Sequence, residues 1–181
     1  MVKIIFSDID GTLINSAFQV TERTKTSIKK AVQNGMVFVP VSARMPDAIQ
    51  PIVQSIGITS PIISYNGALI QDRDHQVIAS LTMQTELALA VCSFVQSDYP
   101  DIAWHIYSYH DWYAMDRQHE WIVREEKIVG LDAKESSLPS LGQLDGVHKV
   151  LLMGDPEQIP SLEKELKKNF PELSIAQSAP Y

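Results

Sequence analysis

The chain has 181 residues, a formal net charge of −7, 45% apolar and 20% charged residues, and a single cysteine. That length builds one ordinary domain, or a small core with an appended one, and the composition is that of a globular chain. The acidic balance argues against a nucleic-acid partner, which would need a basic face, and a lone Cys92 in an apolar helical pattern excludes an intrachain disulfide and reads as core. No run approaches transmembrane length, and the N-terminus lacks a charged leader with a long apolar stretch. A cytoplasmic protein without membrane contact is therefore expected.

The first element is an apolar, β-branched run, Val2-Lys3-Ile4-Ile5, which predicts a buried strand. It leads into Phe6-Ser7-Asp8-Ile9-Asp10-Gly11-Thr12-Leu13. Alternation along an extended chain puts Asp8 and Asp10 on one side, about 7 Å apart at Cα. Gly11 breaks the strand and lets backbone approach a ligand. Two carboxylates so close must share a proton or hold a cation, and a strand's C-terminal end is where open α/β sheets bind ligands. A calcium loop starting at Asp8 would need a Glu at its twelfth position, which is Gln19 here.

Thr21 is a candidate N-cap for a helix running to about Asn34, with Ile28, Ala31 and Val32 as its apolar stripe and Gly35 as its stop. Met36 to Ser42 reads as a second strand, in which Pro40 implies an irregularity. Strand, helix, strand in this span is a parallel βαβ unit. Met45-Pro46-Asp47 opens a segment to about Ser55, read as a separate turn followed by a main helix with Pro51 at its first position. Pro61 to Tyr65 is a third strand, Asn66-Gly67 a turn, and Ala68 to Ile70 with Val77 to Ala79 a hairpin.

From about Met83 the pattern changes. Thr85 to Gln96 predicts a helix, Ala103 to Tyr109 a strand that Trp112 to Met115 can pair, and Glu120 to Lys127 a weak helix. Ser136 to Gly146 reads as a connection, His148 to Met153 as a strand, Pro160 to Asn169 as a helix with Leu162 and Leu166 on one face, and Leu173 to Ala176 as a last short strand. The expected organisation is α/β: a partial doubly wound, Rossmann-like parallel core over residues 1–82, then a smaller α+β domain over residues 83–181.

Asp8-Ile9-Asp10-Gly11-Thr12-Leu13 resembles the first motif of the haloacid dehalogenase-like phosphatases, Asp-x-Asp-Gly-Thr-Leu, at every fixed position. Val41-Ser42-Ala43-Arg44 resembles their second motif, with Ala43 where Gly is common, and Ser64 to Ala68 resembles the Asn-Gly-Ala turn of the Cof-type branch, whose members carry an α/β cap. The resemblance implies a Mg²⁺-dependent phosphatase of small phosphorylated metabolites such as sugar phosphates. It implies Asp8 as nucleophile and Asp10 as general acid/base. Mg²⁺ would lie at Asp8 and Asp10, and the phosphate would be bound by Gly11, Ser42, Arg44, Asn66 and Gly67.

Members of the family continue into a lysine-bearing third motif and an acidic fourth motif, and nothing in these residues fits either. Gly154-Asp155-Pro156 reads as a loop. The expectation is a truncated chain, incomplete at its cap and weak or inactive alone. Two other readings stay open: a non-catalytic binding remnant, and a phospho-acceptor receiver module, against which the early Asp-x-Asp-Gly-Thr and the large second half count. His105, His110, Asp111 and His119 match no metal-site spacing. The aromatic stripe Trp104, Tyr107, Tyr109, Trp112 and Tyr113 reads as cap core, and Glu125-Glu126 as solvated surface.

Overall fold

The computed structural model of the chain describes residues 3–179 and residue 181. Val2, assigned above to the first strand, lies outside the described residues, as does Pro180. The chain divides into two compact units, Met1–Thr82 and Met83–Tyr181.

The first unit is a five-stranded sheet in the order β1-β2-β3-β4-β5. The strands are β1 (Ile4–Asp8), β2 (Val37–Val41), β3 (Ile62–Ser64), β4 (Leu69–Gln71) and β5 (Val77–Ser80). β1, β2 and β3 run parallel, while β3-β4-β5 turn back antiparallel through two tight connections. α1 (Glu22–Gln33) and α2 (Pro46–Ile56) supply Ile28, Ile49, Val53 and Ile56 to one core cluster with Phe38 and Ile62. Thr21 caps α1 by accepting a hydrogen bond from the Thr24 N–H, and Gly35 follows at φ 81°.

Three expectations need correcting here. β1 is not a buried strand. Among the described residues it sits at the sheet edge with β2 as its partner, and Ile4 and Phe6 are 49% and 62% exposed, while Ile5 packs against the helical cluster. An apolar run alone reports strand formation, not cover on both faces. Pro40 does not interrupt β2, since pairing with β1 is continuous from Ile4↔Val37 to Asp8↔Val41. The β2–β3 ladder is instead confined to Val41↔Ile63, and the buried Ser60 hydroxyl donates to the Phe38 carbonyl ahead of the proline.

The third correction concerns α2, which is one helix from Pro46 to Ile56 with Pro51 inside it. An internal proline costs about 3 kcal/mol. Burying Ile49, Val53 and Ile56 contributes roughly 5–8 kcal/mol, and Pro51 lies on the exposed face, so the helix runs through.

The second unit has a four-stranded sheet in the order β8-β7-β6-β9. Its strands are β6 (Ala103–Ser108), β7 (Asp111–Ala114), β8 (Lys134–Glu135) and β9 (Lys149–Met153), with helices α3 (Thr85–Asp98), α4 (Glu120–Val129) and α5 (Ile159–Asn169). α3 and α5 share a cluster with Val150 and Leu152 of β9. Of the aromatic stripe, Trp104, Tyr107 and Trp112 are buried to 1–3% exposure, whereas Tyr109 and Tyr113 are half-buried at its margin. Cys92 is fully buried, and burial pushes its thiol up to about 12.

β8, two residues long, carries no pattern that a sequence reading could find. Residues 173–176 form no strand; Leu173 and Ile175 pack beside Phe170 on the α3–α5 cluster, so their alternation serves packing instead of a ladder. Glu126 is not solvated surface: its side chain is 15% exposed and accepts from Arg117 Nε at 2.8 Å and the Ala133 N–H at 2.9 Å. Burial alone would raise its carboxyl, but these two donors hold it below the usual range.

Candidate active site

The parallel register brings three chain exits together. Asp8, the last residue of β1, lies level with Val41 of β2, and Val41 lies level with Ile63 of β3. The next residues along each strand are the motif residues: Ile9 to Leu13 after β1, Ser42 to Arg44 after β2, and Tyr65 to Gly67 after β3. Residues distant in sequence meet because parallel strands end on the same side.

β1 stops at Asp8, so Asp10 is not a strand residue. Ile9 to Leu13 form a tight turn closed by the Ile14 N–H on the Ile9 carbonyl at 3.1 Å. Asp10 keeps extended angles and Gly11 turns left-handed at φ 74°. Alternation therefore survives two residues beyond the ladder. Ile9 is fully buried and anchors the turn in the core, while Asp8 and Asp10 are exposed on either side of it. A Cβ on Gly11 would meet nothing within 4 Å, so its requirement is the backbone angle.

The two acids have different partners. Thr12 Oγ1 donates to Asp8 Oδ2 at 3.2 Å, which ties that carboxylate to the turn. Asp10 is gripped on both oxygens by Arg44, Nη2 to Oδ1 at 2.8 Å and Nε to Oδ2 at 3.0 Å. The side chain of Arg44 is 15% exposed and that of Asp10 52%.

Ser42 is buried, accepts the Arg44 N–H on Oγ at 3.2 Å, and keeps its own hydroxyl proton to donate. The turn after β3 holds this loop through its backbone: the Tyr65 N–H donates to the Arg44 carbonyl at 3.2 Å and the Asn66 N–H to the Ser42 carbonyl at 2.9 Å. Tyr65, Asn66 and Gly67 all have positive φ, at 51°, 54° and 102°. Gly67 takes this angle freely, but Tyr65 and Asn66 are strained by it, and such strain gathers where a loop must hold one shape. Asn66→Val should therefore destabilise the first unit by about 1–2 kcal/mol, and Asn66→Gly by a few tenths at most, as read from urea unfolding.

The donor set suits a small hard cation that takes few protein oxygens and keeps water or substrate oxygens. The Asp8 carboxylate is exposed at the strand exit, and the main-chain carbonyl of Asp10 lies in the same turn. The Asp10 carboxylate itself is occupied by Arg44. Among the described residues no group of three or more His, Cys, Asp and Glu side chains is assembled to hold a metal ion. His105 lies in the core of the second unit, paired with Trp112.

A profile of haloacid dehalogenase-like hydrolases matches residues 5–181. The chain belongs to the haloacid dehalogenase-like hydrolase family. Among curated proteins it is 30% identical over 98% of its length to the Haemophilus influenzae protein named "Putative phosphatase", of which the match covers 66%. It is 24% identical over 94% of its length to the HMP-PP phosphatase of Serratia proteamaculans, covering 61% of that enzyme. The chain thus spans somewhat under two thirds of the length of these relatives. Among solved structures, a haloacid dehalogenase-like hydrolase from Bacteroides thetaiotaomicron superposes with a TM-score of 0.89 at 20% identity, over all of this chain and 69% of that one.

In this haloacid dehalogenase-like hydrolase, the motif residues named from sequence gather in the first unit, but with unforeseen partners. Arg44 faces a carboxylate. Asn66 and Gly67 contribute backbone shape. The sequence reading does not pick out Tyr65 or Thr12. Thr12 is a fixed letter of the motif and so a traceable partner for Asp8; Tyr65 carries no signal, since nothing in its type announces a left-handed backbone.

Proposed function

We propose that the chain is the nucleophile-bearing part of a Mg²⁺-dependent phosphatase, with residues 1–82 as core and residues 83–181 as cap, acting on a small phosphorylated metabolite in the cytoplasm. The observation that carries this reading is the pair of exposed acids flanking a buried Ile9 at the exit of β1, with Ser42 and Arg44 delivered beside them by the parallel register.

Asp8 attacks phosphorus with a carboxylate oxygen, the phosphorus–oxygen bond to the leaving group breaks, and an aspartyl-phosphate forms. Asp10 gives its proton to the departing oxygen and then takes one from the water that hydrolyses the acyl phosphate. Ser42 Oγ–H and the backbone N–H groups around Gly11 donate to the phosphoryl oxygens. The Asp8 carboxylate and the Asp10 carbonyl would hold a Mg²⁺ ion, which would neutralise phosphoryl charge. The family supports hydrolysis as the reaction class, and relatives named as phosphatases support phosphate esters as substrates.

The test is hydrolysis of p-nitrophenyl phosphate by the full gene product. Turnover should require Mg²⁺, vanish with excess chelator and return when the metal is restored. Turnover that is indifferent to chelator would refute the metal role. Binding of phosphate esters without any turnover would point to a binding module instead.

A further inference from the structure

The Arg44–Asp10 pair sets a problem for the acid/base role proposed for Asp10, on which this inference rests. A carboxylate that acts as an acid must carry a proton on one oxygen and present it to the leaving group. In this structure both oxygens of Asp10 are taken by the guanidinium. The group meant to move protons is tied up at rest.

The tie is asymmetric. Arg44 is the more enclosed partner, and it is set from its backbone on both sides, by Ser42 Oγ on its N–H and by the Tyr65 N–H on its carbonyl. Asp10 sits on an exposed turn beside Gly11. The fork uses two of the guanidinium's five N–H donors, and a phosphoryl dianion is a stronger acceptor for such a fork than a single carboxylate.

We propose that Arg44 is a positioning residue and a substrate-sensing latch: it clamps Asp10 in the resting enzyme and exchanges it for the incoming phosphoryl oxygens. The arrival of the phosphate then releases the Asp10 carboxyl to face the leaving group. The strained turn at Tyr65 to Gly67 keeps the latch in place from behind.

The experiment is a double-mutant cycle on the affinity of the full gene product for inorganic phosphate, read by calorimetry in the presence of Mg²⁺. Asp10→Asn removes the competitor and should tighten phosphate binding by more than its loss of charge alone provides. That direct charge effect is measured in the Arg44→Gln background. The gain from Asp10→Asn should be on the order of tenfold larger with Arg44 present than without it. Arg44→Lys keeps the charge but loses the fork, so the coupling should fall while some phosphate affinity remains.

Additive effects on phosphate binding, with turnover shown by the unsubstituted protein, would overturn the latch and leave the phosphatase reading standing. Absence of phosphate binding in all four proteins would overturn both. Thermal unfolding of each variant identifies any that fails to fold; should Arg44→Gln fail, the fall in coupling expected of Arg44→Lys is the test, and an undiminished coupling there overturns the latch.

Discussion

Asp8→Asn should lower the turnover of p-nitrophenyl phosphate by the full gene product on the order of 10⁴-fold or more, as expected when a nucleophile is removed. An amide oxygen is too weak a nucleophile to form the acyl phosphate, whatever else in the site is intact. The same substitution should leave stability within about 0.5 kcal/mol, because the position is exposed. Asparagine Oδ1 can still accept the Thr12 hydroxyl, which donates to Oδ2 of Asp8 in the native protein. The separation of the two effects is the discriminating result. Loss of turnover with an unchanged unfolding curve assigns Asp8 to chemistry. An Asp8→Asn protein that retains more than a tenth of the activity rules it out as nucleophile and moves the reaction to another group.

The second unit should lose about 2 kcal/mol of stability between pH 7.5 and pH 5.0 through one residue, His105. Its ring is fully buried and stacked on Trp112, with Trp112 Nε1 donating to Nδ1 at 3.2 Å, so its proton sits on Nε2. Nε2 is itself buried and meets no acceptor among the described residues. Burial, reinforced by the charges of Lys149 and His119, holds its pKa down to about 3 from 6.5.

The folded form therefore refuses a proton that the unfolded chain takes below pH 6.5. Stability is complete above that value and is lost as pH falls from 6.5 toward 3. His148, lowered by burial, adds loss of the same sign. Urea unfolding at the two pH values reads the effect. His105→Asn places an amide oxygen near the position of Nδ1, keeps an acceptor for Trp112 and cannot titrate, so most of the slope should disappear. Equal acid sensitivity in both proteins would show that His105 is not its source.

Much of this molecule can be read within short windows of chain. The Thr21 cap, Gly35 after α1, and the alternation of Asp8, Ile9 and Asp10 all depend on neighbours a few residues away. Asp-Ile-Asp-Gly-Thr-Leu marks the candidate site from its letters and their order, because a strand followed by a glycine turn is itself a local event. Family membership rests on a match that runs over residues 5–181. Where local reading failed, a local rule met a larger competing energy or an unseen neighbour. Pro51 should have split α2, but three buried aliphatic side chains held it together. Glu126 has the composition of surface, yet Arg117 and the Ala133 amide close on it.

By itself the sequence marked two acids following the first strand, and placed α1, α3, α4 and α5 to within a turn or so of their bounds. Only the tertiary structure decided that Arg44 grips Asp10 across 34 residues, that Tyr65 and Asn66 work through left-handed amides, and that, among the described residues, β1 lies at an edge with Phe6 exposed. The reason is physical. Backbone propensity and side-chain period act over a turn or two of chain, whereas the partner of a charge is set by strand register, here the pairing that brings Asp8 level with Val41.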